Sequence, residues 1–100
     1  MATVSVLLTL YLPGVHSLKE KRAVVRSLVA RFRARLDLTA AEVGDQDRLQ
    51  HAQVGFAVVS GDLSTARRLA DEARRFADAE LLGRAEVVAA EVAETVIEGT

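Results

Sequence analysis

The sequence contains no cysteine, no asparagine, a single proline and few aromatic residues. Without cysteine the chain has no disulfide, no zinc–thiolate site and no thiol nucleophile. Half of the residues are hydrophobic but only 4% are aromatic, so the core has to be built mainly from Val, Leu and Ala. No apolar run reaches the ~18 residues that a membrane-spanning helix needs, and the apolar start lacks the basic residues of a signal peptide. The sequence therefore predicts a cytoplasmic protein, folded as a single domain over residues 1–100.

Charge is unevenly distributed along the chain. The net charge is −1, which by itself predicts neither a nucleic-acid nor a membrane partner. Residues 16–36, however, hold seven of the 13 basic residues against a single acidic residue, Glu20. The rest of the chain is correspondingly acidic. The basic segment is therefore the first place to look for an anionic partner.

Alternating apolar and polar residues predict the first three strands. The alternation runs from Thr3 to Leu12, and Pro13-Gly14 ends it. Residues 36–44 and 51–60 form a predicted hairpin around a polar turn. Small or polar residues alternate with three larger ones in its second strand, and these should face inward: Val54, Phe56 and Val58.

Two amphipathic helices are predicted between the strands. The first opens with the capping box S-x-x-E at residues 17–20 and runs to about Leu36. The second starts at Asp62 or Ser64 and stops at Gly83. Helical spacing predicts a buried stripe on the first helix from Leu18, Val25, Leu28, Val29, Phe32 and Leu36. The stripe on the second helix consists of Ala66, Leu69, Ala70, Ala73, Phe76, Ala77 and Leu81.

The last segment, residues 85–98, is ambiguous by propensity. Its Ala and Glu residues favour helix, whereas its Val, Thr and Ile residues favour strand. Without a fourth strand, the very apolar first strand would lie at an exposed sheet edge, so we interpret this segment as a strand. The resulting order βαββαβ predicts an α+β, ferredoxin-like sandwich. Its antiparallel sheet has the order 4-1-3-2, with both helices on one face.

The first helix is predicted to meet an anion. Its basic residues cluster on one flank, where they could track a phosphate backbone, and the N–H groups of a helix start attract anions. The topology also brings the hairpin turn and Arg84 to the end of the sheet where this helix begins, and we call this end the rim. The predicted nucleic-acid-binding residues are Lys19, Lys21, Arg22, Arg26, Arg33, Gln46, Arg48 and His51. The alternative is an ordinary solvated helix face whose cations pair with the acidic remainder of the chain.

The open face of the sheet offers a second hypothesis, a homodimer contact. Small and apolar residues cover this face, and the predicted interface consists of Leu7, Tyr11, Ala57 and Val59. An RNA recognition motif would stack bases on aromatic residues of strands 1 and 3. Tyr11 is the only aromatic residue that strand 1 offers, and Phe56 is predicted to face the core, so this alternative is poorly supported.

Catalytic chemistry finds little support in the sequence. Glu42, Asp45, Asp47 and His51 could be interpreted as metal ligands or an acid–base set, but hairpin turns use such residues anyway. His16 and His51 are the only histidines, and neither has the partners of a triad. An acylphosphatase-like site fails because residues 13–18 contain no arginine and the chain has no asparagine. We therefore predict a non-enzymatic protein without cofactor, metal or small-molecule substrate.

Two long motifs carry a resemblance to a known family. "LPGVHSLKEKRAVVRSLVARFR" at 12–33 and "AEVGDQDRLQHAQVGFAVVS" at 41–60 resemble the YlxP-like family, small bacterial proteins of unknown function. The resemblance implies a ferredoxin-like fold. It also implies an RNA or ribosome connection, because the family's genes often lie near those for translation initiation and ribosome maturation factors. Leu49 stands where Trp is common in the family and His51 where Arg is common, so a contact made by those residues would differ here.

Overall fold

The computed structural model describes residues 1–44 and 47–99. Its elements follow one another in the predicted order βαββαβ. They are β1 (Ala2–Tyr11), α1 (Leu18–Leu36), β2 (Thr39–Gly44), β3 (His51–Ser60), α2 (Leu63–Leu81) and β4 (Glu86–Val96). The ambiguous last segment is thus a strand, as the topological argument predicted.

The four strands form one antiparallel sheet in the order β2-β3-β1-β4. This confirms the predicted ferredoxin-like arrangement. β1 pairs with β3 along its whole length, from Ala2 opposite Ser60 to Tyr11 opposite His51. On its other side β1 pairs with β4, with a register shift between Thr9 and Leu10. The most apolar strand therefore lies in the centre, and β2 and β4 form the two edges.

The core lies between the sheet and the two helices. Alternate β1 side chains are almost completely buried, as are the predicted inward residues of β3: Val4, Val6, Leu8, Leu10, Val54, Phe56 and Val58. Phe32 of α1 packs between Phe56 and Phe76, with ring centroids 5.1 and 5.7 Å apart. Alanines on the inner side of α2 allow that helix to approach the sheet closely. Three mutually tilted aromatic rings thus lie within a core that is otherwise built from Val, Leu and Ala.

The helix termini follow the predicted capping chemistry. Ser17 is the N-cap of α1, and its hydroxyl accepts a hydrogen bond from the Glu20 N–H. Asp62 is the N-cap of α2, where its carboxylate accepts bonds from the N–H and hydroxyl of Thr65. Gly83 has a φ of 80°, a left-handed conformation that favours glycine just after the end of a helix.

The buried stripe of α1 differs from the prediction at its first turn. Leu18 was predicted to be buried, but it is 37% exposed. The inward position of that turn belongs to Lys21, which continues the spacing of Val25, Leu28 and Phe32. The aliphatic stem of Lys21 therefore fills the place that a hydrophobic residue normally takes.

Candidate nucleic-acid interface

The β1–α1 loop and the turn before β3 are bonded to one another at one end of the sheet. The Leu12 N–H donates to the carbonyl of Gln50 at 2.9 Å. The side-chain amide of Gln50 donates in turn to the carbonyls of Pro13 and Val15, at 3.2 and 3.3 Å. Gly83 and Arg84 line a shallow depression together with Pro13 and Gly14. The predicted rim is therefore present, and Gln50 is its main brace.

Lys21 cannot play the part that the sequence predicted for it. Its residue is only 1% exposed, and its Nζ donates a hydrogen bond to the main-chain carbonyl of Arg48 at 2.6 Å. An ammonium group buried in this way is not available to a phosphate in solution. Lys21 instead ties the first turn of α1 to the turn before β3, which holds the rim in place.

Three cations remain on the surface that the sequence predicted. Lys19, Arg22 and Arg26 are all exposed and lie along one side of α1, and we call them the basic flank. Within residues 1–44 and 47–99, no carboxylate forms an ion pair with any of them. The chain does pair arginines elsewhere, as in the contacts of Arg31 with Glu80 and of Arg67 with Glu94. The basic flank is thus solvated positive charge that the fold leaves uncompensated.

Arg33 continues this line but is partly engaged. Its Nη2 donates to the carbonyl of Ala40 in β2 at 2.8 Å, although the residue as a whole is exposed. Arg26 and Arg33 line a groove between α1 and β2, and Glu42 also borders it. Arg33 therefore anchors one end of the line, while the basic flank provides the freely oriented charges.

The start of α1 already holds a carboxylate of its own chain. The Glu20 carboxylate accepts a hydrogen bond from the His16 N–H at 2.9 Å, while the Ser17 hydroxyl accepts from the Glu20 N–H at 3.1 Å. This resembles a capping box, except that the carboxylate accepts from the residue before the N-cap, and it places one negative charge near the positive end of the helix. An external anion at this end would therefore meet the Glu20 carboxylate, and the expectation that the helix N–H groups attract one stays a prediction. The side chains of the basic flank are the groups better placed for such a contact.

His51 and Arg48 lie beside the rim, next to the open sheet face. An Nη2 of Arg48 lies 3.3 Å from Nδ1 of His51. The His51 ring stands 5.5 Å from the ring of Tyr11, its cross-strand neighbour. The predicted contact residue Gln46, like Asp45, lies outside the described residues. The structure thus places Arg48 and His51 together at the end of the molecule where α1 begins.

The open sheet face is apolar and shallow. Three of the predicted dimer residues, Leu7, Tyr11 and Ala57, are half-buried in it, and Val59 is 62% exposed. A depression of about 390 Å³ crosses all four strands. Among the residues that line it are Ser5, Leu7, Ala41, Gly55, Ala57 and Ala93. The open face is therefore a shallow, mainly apolar surface that crosses the whole sheet.

Two other kinds of site are not found in the described residues. They contain no group of three or more His, Asp or Glu side chains placed to hold a metal ion, and Asp45 of the proposed turn set is not among them. No helix within 1–44 and 47–99 has the length and apolarity to cross a bilayer.

The sequence analysis predicted neither the burial of Lys21 nor the hydrogen bonds that Gln50 makes across the rim. A signal for Lys21 was present, because it stands four, seven and eleven residues before Val25, Leu28 and Phe32. Residue type argues against burial at this position, since lysine is almost never fully buried without a partner. For Gln50 no local pattern exists, because its acceptors lie 35 and 37 residues away.

Fold and surface together define a small α+β protein of the ferredoxin-like type, with a basic helix flank and an uncovered sheet face. A family model matches residues 3–94, and the chain belongs to this family, described as a protein of unknown function (DUF503). A comparison with curated proteins gives no match.

Solved structures of the same fold include designed and natural proteins. A de novo designed protein with a ferredoxin fold aligns over 99% of this chain and 88% of its own, with 14% identity and a TM-score of 0.59. A dimeric protein of unknown function from Bacteroides fragilis, also ferredoxin-like, aligns over 95% of this chain and 96% of its own. Its identity is 12% and its TM-score 0.53. At such identities these likenesses concern the fold alone.

Proposed function

We propose that this protein is a non-enzymatic RNA-binding module that contacts phosphates through the basic flank, Lys19, Arg22 and Arg26. The observation that carries the proposal is three exposed cations on one side of a helix with no carboxylate partner in the described chain. From Lys19 to Arg26 the helix rises about 10 Å at ~1.5 Å per residue, so the flank spans several phosphates of a nucleic-acid strand. The resemblance to the YlxP-like family supports an RNA or ribosome partner as well.

Neighbouring residues extend the surface in two directions. Arg33 continues the line toward β2, and Arg48 with His51 lies beyond the start of the helix. Contacts of this kind bind the backbone of a nucleic acid and provide little base specificity. The hydrogen bonds of Lys21 and Gln50 hold the main chain of the rim in place beside the basic flank. We therefore expect recognition of RNA shape and charge rather than of sequence.

The test is binding of a fluorescently labelled RNA hairpin by the wild type and by the double variant Arg22→Glu, Arg26→Glu. Three phosphate contacts predict that affinity falls roughly 20- to 40-fold between 50 and 200 mM salt. The double variant should lose binding while its melting temperature stays unchanged. The matched control is Arg35→Glu with Arg75→Glu, which alters net charge equally at exposed positions away from the basic flank. Equal binding by the Arg22, Arg26 variant would refute the assignment.

The open sheet face supports a second candidate, a self-associating structural or regulatory domain. The observation that favours it is the apolar depression together with the exposed Val59. A second copy would pack its own open face against Leu7, Tyr11, Ala57 and Val59. Sedimentation at low and high salt separates the two candidates: a salt-insensitive dimer that Val59→Lys dissociates, with no affinity for RNA, supports this one.

A further inference from the structure

The outer edge of β4 is long, unpaired and unusually apolar. β4 has 11 residues, about 36 Å at ~3.3 Å per residue, and it pairs with β1 on one side only. The described chain exposes ten large hydrophobic residues, and four of them lie in β4 or directly after it: Val88, Val92, Val96 and Ile97. Each of the four is about half exposed, at 49–56%. Helix α2 borders Val92 on one face of the sheet, yet these side chains stay about half exposed.

The other sheet edge is protected in ways that β4 is not. β2 has only six residues, and Arg33 bonds to the carbonyl of Ala40 in it. Short edge strands and covered edges are how proteins prevent unwanted strand pairing. β4 contains no proline, lysine or arginine. In residues 1–44 and 47–99, no side chain donates a hydrogen bond to one of its main-chain carbonyls.

We propose that β4 pairs antiparallel with β4 of a second copy across a two-fold axis at Val92, which joins two sheets into one sheet of eight strands. A two-fold axis perpendicular to the sheet keeps the helices of both copies on the same face. In such a pairing the numbers of any two facing residues have the same, even sum. One residue therefore lies at the axis and faces the same residue of the second copy. The choice of that residue decides which charges meet.

The glutamates of β4 exclude two registers, and the valines distinguish among the others. An axis at Glu91 would set two like charges directly opposite one another, which is destabilising. An axis at Ala90 would do the same by placing Glu86 opposite Glu94 of the other copy. Within β4 the axis at Val92 avoids both conflicts and pairs the valines: Val92 with Val92, Val88 with Val96, Glu91 with Ala93, and Glu94 with Ala90. Glu86 would face position 98, which lies beyond the end of β4.

The same register brings complementary charges together above the sheet. Arg74 of α2 borders the depressions that contain Ala90 and Val92, beside Asp71 and Asp78. It forms no ion pair within the described chain. Because Glu94 of the second copy would face Ala90, its carboxylate, which already accepts hydrogen bonds from Arg67 of its own copy, would also approach Arg74. The basic flank of α1 is on the β2 side of the molecule, so this pairing leaves it accessible.

A cysteine scan tests the register directly, because the chain has no cysteine of its own. Facing Cα atoms in an antiparallel pair are about 4.5 or 5.5 Å apart, within the range that a disulfide spans. Val92→Cys should therefore form a disulfide-linked dimer under mild oxidation. Glu91→Cys and Ala93→Cys should not, because each would lie diagonally from its own copy, at about 7–8 Å.

Sedimentation of the wild type and of two lysine variants provides the second test. The wild type should sediment as a dimer, Val92→Lys as a monomer and Val59→Lys as a dimer, with all three showing the same circular dichroism spectrum. The two variants are matched, since each replaces an exposed strand valine with lysine, one at the β4 edge and one on the open face. A monomeric wild type, a dimer lost in Val59→Lys alone, or cross-linking at residue 91 or 93 in place of 92 would overturn the proposal.

Discussion

Replacing Lys21 with methionine should destabilise the fold and leave RNA binding intact. Methionine keeps most of the aliphatic stem and removes the ammonium group, which donates to the Arg48 carbonyl at 2.6 Å. Loss of a hydrogen bond from a charged group costs about 2 kcal/mol, which for a chain of 100 residues lowers the melting temperature by roughly 10 °C. Lys21→Ala also removes three buried methylene groups, and at ~0.8 kcal/mol each it should cost about 2 kcal/mol more.

The matched variant is Lys19→Met, two residues earlier on the exposed basic flank. It removes the same charge, yet it should leave the urea midpoint unchanged and weaken binding of the RNA hairpin. Lys21→Met should give the reverse result: a lower urea midpoint and an affinity equal to that of the wild type. If Lys21→Met instead weakened RNA binding at an unchanged midpoint, its ammonium would be a surface contact and the structural assignment would be wrong.

Three further substitutions test the core and the helix ends. Phe32→Ala should cost about 4 kcal/mol in a urea melt, because its ring is fully buried between two others. Gly83→Ala should cost about 1 kcal/mol through its positive φ, whereas Gly61→Ala, with open space around it, should cost nothing comparable. The Thr65 N–H holds the pKa of the Asp62 carboxyl below its usual value. Its stabilisation is therefore complete above the unfolded-state pKa and lost as pH falls through the lower folded value. Thermal melts should accordingly show the advantage of wild type over Asp62→Asn shrinking in acid, and a constant difference would refute this.

The architecture could be predicted from the sequence because each of its signals is local. The alternation that ends at Pro13, the capping box at Ser17 and the N-cap at Asp62 all act within a few residues. The ambiguous segment 85–98 required a longer argument, since the helix and strand propensities of its residues balance. Only the need for a second strand beside β1 favoured a strand. That argument succeeded because an apolar strand at an exposed edge is costly whatever the local sequence.

The surface was only partly predictable, because availability of a charge depends on distant contacts. Lys19 and Lys21 are equivalent by residue type, yet one is solvated and the other is buried against the main chain of Arg48. The basic character of α1 was visible in the composition. The sequence does not show which of these cations are paired, bonded to the sheet or free. Partners such as Ala40 and Glu80 are known only once the elements have packed.

The central position of β1 has a consequence for folding during synthesis. Its two sheet neighbours lie about 40 and 75 residues further along the chain, so its row of inward aliphatic residues is made long before either neighbour exists. At 5–20 residues per second, roughly 4 to 17 seconds separate the translation of Tyr11 from that of Val96. β1 has no strand to pair with until β3 is complete at Ser60, and only one neighbour until β4 is made. We therefore expect the nascent chain to need transient shielding of this apolar strand.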